Sequence, residues 1–291
     1  MNNVYQMVTD RIIASLNQGI IPWHQPWRGG KGAFSYATGK EYSFINQLLL
    51  GGSGEWITFQ QVKQAGGSIK KGAKASIVCF YKKHTIKEVK MTDDGEKEEI
   101  KTTPILKYFH VFRINDTTVE PTLNTDYVEA QDAQKDETAD RIVADYVDRE
   151  SLELIIEISK VACYSPSKDT VRVPSIRQYD STDEFYSTLF HELVHSTGHK
   201  KRLNRDLGTG FGTKKYSREE LIAEIGSAML CSYAGLDDEK CFRNSCGYIQ
   251  GWSKYLSSDP KAIVMAASRA EKAAKYILNI KDDETGNDQE A

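Results

Sequence analysis

The sequence predicts an α+β protein, and three observations predict it. One is His191-Glu192-Leu193-Val194-His195, set among apolar residues at helical spacing. Another is the pair of strand-like runs Ala75 to Tyr81 and Ile105 to Arg113, which flank a charged stretch around Asp94-Gly95. The third is charge. Residues 1–113 hold 16 Lys or Arg against 9 Asp or Glu, a formal +7, whereas the rest holds 22 against 32, a formal −10. A basic front and an acidic back imply two modules with different partners, the first a polyanion; the plainer reading is two solvated surfaces.

The other bounds are those of an ordinary soluble chain. It has 291 residues, 40% hydrophobic and 27% charged. No apolar run approaches the roughly 18 residues that cross a membrane, and Met1-Asn2-Asn3-Val4-Tyr5-Gln6 has no basic leader. The expectation is a cytoplasmic protein with no membrane partner. Five cysteines without a C-x-x-C pair argue against a disulfide framework or a thiolate zinc knuckle and are read as buried small residues.

In chain order, Val4, Met7, Val8, Ile12 and Leu16 form a helical stripe that Gly19 can close. Trp23 and Trp27 follow, each directly after a proline, with Arg28 beside the second. They are either a stacking surface for nucleobases or the plug of a small core. Ile45 to Leu50 is a short apolar helix or strand end, and Thr58 can cap a helix running to Ala65. The glycine-rich loop 66–74 carries Lys70, Lys71 and Lys74, and Lys82 and Lys83 extend the basic run. Freed amides and ammonium groups there can hold backbone phosphates; a solvated hairpin rim is the alternative. Residues 1–115 thus form a basic α+β module.

Residues 116–137 are polar and without period, a linker or surface excursion. Thr138 to Arg149 is helical, and strands are expected at Glu157 to Tyr164 and Thr170 to Pro174. The stretch Asp169 to Pro174 is the candidate edge strand, able to pair with an extended substrate backbone. The second module is placed at 138–280, and residues 281–291 are an acidic tail.

The chemistry sits in the second module. On a helix, His191 and His195 share a face and can offer two neutral imidazoles to one divalent ion. Glu192 is then placed to take the proton of a water on that ion. A surface pair of histidines is the competing reading. The helix context opposes it: Ser181, Thr182 or Asp183 can cap the start, Phe185, Leu189, Leu193 and Val194 give an apolar side, and Gly198 can end it. His199 is misplaced for a third ligand, because the longer three-histidine motif needs its third at position 201, which is Lys201.

A carboxylate comes instead from Ser217-Arg218-Glu219-Glu220-Leu221-Ile222-Ala223-Glu224, read as a helix capped by Ser217 with Glu220 in the capping box. Glu220 and Glu224 share a face. Glu220 is taken as the ligand, and Glu224 as the group that orients a histidine or as the alternative ligand. Glu219 lies off that face and is read as solvated. A His, His, Glu set leaves a coordination position open for water, and zinc is preferred, with manganese possible. Tyr248, Arg243 and Arg269 are candidates to stabilise an oxyanion. Pro260 opens the last helix, whose alanines at 262, 266, 267, 270, 273 and 274 form a close-packing face.

The chain resembles the ArdC-type antirestriction proteins of plasmids and other mobile elements. The resemblance runs over nearly its whole length. It rests on Ile21-Pro22-Trp23 with Pro26-Trp27, Tyr42 through Asn46, and Ala162-Cys163-Tyr164-Ser165-Pro166 with Asp169 and Pro174. It rests further on Phe190 through His199 with Arg202-Leu203, Glu219 through Glu224, and Tyr248 through Trp252. Those proteins join an amino-terminal single-stranded-DNA-binding domain, also fused to plasmid primases, to a zincin-like metallopeptidase domain. The Glu220-x-x-Ala223 spacing is also similar to the third-ligand helix of peptidases that cut phage and stress regulators. The resemblance implies protection of incoming DNA: the basic module binds the single strand, and the acidic module either cleaves a host protein or keeps the metallopeptidase fold without activity. The charged excursion at 87–101 has no role assigned by it.

Overall fold

Asn46 is fully buried and binds both backbone groups of Cys79, donating from Nδ2 to the carbonyl at 2.9 Å and accepting from the amide at 2.7 Å. This side chain supplies the pairing that an edge strand lacks, and it docks a helix onto a sheet. The computed structural model describes residues 4–18, 21–23, 32–92, 95–122, 132–207, 214–236 and 249–281; side chains at 82–104, 132–136, 214–216 and 249–250 fall outside the description.

The front half is built as follows. Helix α1 (Val4–Asn17) buries Val8, Ile12 and Leu16, the expected stripe. Strand β1 (Ala33–Ser35) leads to α2 (Phe44–Leu50), which carries Asn46 and ends at Gly51 in the left-handed region, φ 62°, where glycine costs least. Strand β2 (Gly54–Thr58) runs into α3 (Phe59–Gln64), held by a reciprocal capping box between Thr58 and Gln61. Strands β3 (Ser76–Thr92) and β4 (Gly95–Arg113) form one long antiparallel hairpin. The sheet order is β1-β2-β4-β3, with β1 parallel to β2 and the rest antiparallel.

Helix α4 (Asp132–Glu150) starts inside the stretch read as a linker. The other end of that stretch is packed too: Thr117 is buried and bridges Ile69, and the Glu55 carboxylate takes both the amide and the hydroxyl of Thr122. Strands β5 (Glu153–Glu157), β6 (Cys163–Ser165) and β7 (Thr170–Pro174) form a second sheet in the order β5-β7-β6. Two expectations are corrected here. The strand placed at 157–164 is the end of β5 plus β6, joined by a non-strand segment, and β7 is the central strand rather than an edge.

Helices α5 (Thr182–Thr197), α6 (Lys214–Ala234), α7 (Ile249–Ser258) and α8 (Ala262–Ile277) complete the described chain. All six alanines of α8 named above are buried, which brings α8 close to α6. The same core cluster continues into α1 and α2, so the two halves share one core. Thr9 Oγ1 donates to the Pro260 carbonyl at 2.7 Å, and Trp23 meets Trp252 edge-on with centroids 6.5 Å apart. Trp23 is 2% exposed, so it is a core plug and offers no stacking face. Cys79 and Cys231 are buried as expected, but Cys163 on the outer strand β6 is exposed. No helix among the described residues is long and apolar enough to cross a membrane.

Candidate metal centre

Ser181 caps α5, accepting the Glu184 amide at 3.2 Å. Gly198 closes the helix, at φ −73° and thus without left-handed backbone. Its lack of a side chain matters for space: a Cβ there would meet Leu207 at 2.3 Å and the Arg205 guanidinium at 3.2 Å. On the far side of α5, Gly226 of α6 lies under Val194, where a Cβ would meet a γ-carbon at 2.8 Å, and Ser227 donates to the Ser187 carbonyl at 2.8 Å. Close approach of α5 and α6 is therefore built into small residues.

That approach brings three ligand-type atoms together. His191 Nε2 and His195 Nε2 stand 3.1 Å apart, and the Glu220 carboxylate lies 3.5 Å from each. Among the described residues, His191, His195 and Glu220 are the one group whose metal-binding atoms lie within 4.8 Å of one another. Atoms bound tetrahedrally to one ion at about 2.0–2.1 Å are about 3.3 Å apart, so this donor set fits a zinc-sized divalent cation. Glu192 follows His191 on the helix, is buried, and is close enough to bias the protonation of both imidazoles.

Electrostatics separates the two candidate carboxylates. Burial pushes the Glu220 carboxyl up, but its hydrogen bonds to His191 and His195 outweigh burial and hold it well below the usual carboxylate range. Glu224 is raised, by burial first, with the charge of Glu220 adding to it. The two carboxyls are thus shifted in opposite directions, Glu220 down and Glu224 up. Burial lowers His195, yet hydrogen bonds to Glu219 and Glu220 raise it to about 10.

Glu219 corrects the sequence reading. It is 3% exposed, not solvated, and its Oε1 lies 3.4 Å from His195 Nδ1. It also accepts two bonds from Arg205, from Nε at 3.1 Å and Nη2 at 2.6 Å. Arg205 spends its other donors on α5, reaching the Thr197 hydroxyl at 2.6 Å and the Val194 carbonyl at 2.8 Å. One buried guanidinium thereby clasps both helices of the site, and Glu219 stands at the second nitrogen of His195, where a carboxylate can orient a histidine ligand. The missed signal was present: Glu219, Ala223, Gly226 and Leu230 recur at the spacing of a buried stripe. The cap expected at Ser217 is also corrected. Helix α6 starts at Lys214, so Glu220 is interior and has no capping duty.

The remaining expected residues are placed as follows. His199 lies 3.7 Å from Asp169, away from the three-atom cluster. Asp169 accepts from Tyr164 at 2.8 Å and from buried Arg202, whose Nε reaches the Ser196 carbonyl at 2.8 Å. These residues brace the end of α5 against the β6–β7 turn. Lys70, Lys71 and Lys74 are exposed, with Lys70 Nζ donating to the Asn115 carbonyl at 2.9 Å. Trp27, Arg28, Arg243 and Tyr248 lie outside the described residues, as do the side chains of Lys82 and Lys83.

A helix-borne H-E-x-x-H with a carboxylate from the next helix, packed on a small sheet, defines a zincin-like metallopeptidase domain, here behind a basic α+β module. Residues 140–269 match the model of the zincin-like metallopeptidases, and residues 2–112 match the N-terminal domain of the anti-restriction factor ArdC. Two crystal structures of the antirestriction ArdC protein from the R388 plasmid are each 33% identical to this chain. The metal-free one aligns with a TM-score of 0.71 over 96% of this chain and 100% of its own, the Mn(II)-bound one with 0.72 over 95% and 97%. The chain belongs to the ArdC family of antirestriction proteins. It is also 30% and 31% identical to two DNA primases TraC of Escherichia coli, over 94% of its own length but only 20% and 27% of theirs. An uncharacterised protein y4eC of Sinorhizobium fredii is 29% identical over 94% of this chain and 91% of its own. The chain spans about a fifth to a quarter of the primases it matches.

Proposed function

We propose that the protein shields incoming single-stranded DNA from restriction, binding it through the basic front half and acting on a host protein through a zinc-dependent peptidase site. The observation that carries the second part is the convergence of His191, His195 and Glu220 next to buried Glu192. His191, His195 and Glu220 would hold the ion, with Glu219 fixing the His195 ring. When bound, the ion supplies Lewis acidity toward water and a substrate carbonyl. Glu192 accepts a proton from the attacking water and returns it to the leaving nitrogen. Since β7 is central, an extended substrate backbone pairs instead with the outer strand β6, whose neighbours include α5.

The front half supports the DNA reading through its charge of +7 over residues 1–113 and the exposed Lys70, Lys71 and Lys74. The whole reading is tested by delivering unmodified DNA into a restricting host that expresses the protein. Wild type protects the DNA, and Glu192→Gln loses protection while still binding single strands. Undiminished protection by Glu192→Gln would remove the peptidase step and leave DNA binding as the agent.

A further inference from the structure

We infer that Tyr42, Phe80 and Phe109, with Lys107 beside them, form the platform on which the front half stacks the bases of single-stranded DNA. This rests on the single-strand reading above and assigns it a place that buried Trp23 does not fill.

The strand register puts these residues on one face. Phe80 stands opposite Lys107 and Val78 opposite Phe109, so Phe80 and Phe109 are diagonal neighbours on the same side of the hairpin. Their centroids are 6.1 Å apart at 54°, and Tyr42 lies 6.1 Å from Phe80 at 45°. Phe80 is 37% exposed and Tyr42 and Phe109 are half-buried, with Val78, Val111 and Trp56 packed beside them on the same face, so the row is anchored at its buried end and reaches solvent at Phe80. A rigid row of partly open rings on a four-stranded sheet accepts the flat faces of unstacked bases, which every base has.

Charge selects the occupant. Alternation along β4 places Arg113, Val111, Phe109, Lys107 and Ile105 on this face, and β3 adds Ser76, Val78 and Phe80. None of these is acidic. Lys107 is exposed at one end of the row, and Lys71 and Lys74 are exposed just before Ser76 at the other. The distance from Ser76 to Phe80 is roughly 13 Å at about 3.3 Å per residue, a reach that a few nucleotides cover. The nearest carboxylate in sequence, Glu41, is turned to Gln47 Nε2 at 3.1 Å. A purely apolar protein partner would gain nothing from the lysines.

The test measures anisotropy of a labelled single-stranded oligonucleotide, its duplex and the matching RNA against the full chain across a salt series. Phe80→Ala is expected to weaken single-strand binding about tenfold, Phe80→Leu to do the same at unchanged Tm, and Phe80→Trp to restore it. Lys107→Gln is expected to lower the salt slope by about 1. Wild type that binds no single strand defeats the DNA reading itself. Wild type that binds while all Phe80 variants stay within twofold overturns the platform alone. Equal loss with Leu and Trp, or a Phe80 effect on self-association without one on DNA, also overturns it, and tighter binding of RNA overturns the assignment to DNA.

Discussion

Arg205 and Glu219 form a two-bond pair, at 3.1 and 2.6 Å, in the buried seam between the two helices of the metal centre. The Arg205 side chain is 7% exposed, so that carboxylate is the counter-charge for a buried guanidinium.

Glu219→Gln keeps the shape but weakens the acceptor for His195 Nδ1 and Arg205. Metal affinity is expected to fall about 10- to 100-fold, read by competition with a chromophoric chelator. Glu219→Ala should also lower stability by about 3–5 kcal/mol, because it strands a buried guanidinium. Arg205→Lys does not replace the fork and should resemble Glu219→Gln. Equal affinity in all three variants would show that His195 needs no support from this pair.

The spacing of α5 and α6 is set at Gly226, which lies under Val194. Gly226→Ala drives a methyl group against Val194 and should cost about 1–3 kcal/mol. Val194→Ala in that background should recover part of the loss, giving a coupling energy in a denaturation cycle. Simple additivity would mean the helices part without contact between these positions.

Asn46→Ala leaves the amide and carbonyl of Cys79 without their partner, at about 1–3 kcal/mol each. Asn46→Asp keeps the acceptor for the amide and loses the donor to the carbonyl. Chemical denaturation should rank the wild type above both variants; a neutral Asn46→Ala would mean the edge of β3 is satisfied otherwise.

Acid stability should depend on Asp169. Burial raises its carboxyl, but hydrogen bonds from Arg202 and Tyr164 and the nearby His199 outweigh burial and lower it. A carboxylate depressed on folding contributes above its unfolded value, about 3.9, and that contribution is lost as pH falls from there through the folded value. Unfolding free energy measured from pH 7 to pH 3 should fall more steeply below about pH 4 in wild type than in Asp169→Asn, which should be less stable at pH 7. Parallel curves would contradict the role of the Asp169–Arg202 pair.

The parts legible in sequence were those with local grammar. Ser181 and Thr58 cap as their side chains dictate, the alanines of α8 face the core, and His191 and His195 meet because i, i+4 spacing is rigid, with the small residues of α6 letting Glu220 reach them. What was not legible depends on neighbours distant in sequence. Glu219 looks solvated until Arg205 is seen to bury with it. Trp23 reads equally as a stacking residue or a core plug until Trp252 is seen to pack against it, and β7 looks like an edge strand until β5 and β6 flank it. The aromatic row at Phe80 needed strand register, which no single run of residues states.

The central claim is that one divalent ion is held by His191, His195 and Glu220. Anomalous scattering from crystals grown with zinc tests it most directly. The predicted result is a single peak at about 2.0–2.2 Å from His191 Nε2, His195 Nε2 and one Glu220 oxygen, lost in Glu220→Gln crystals and retained in Glu224→Gln crystals. A peak liganded by Glu224 or His199, or one that persists without Glu220, would contradict it.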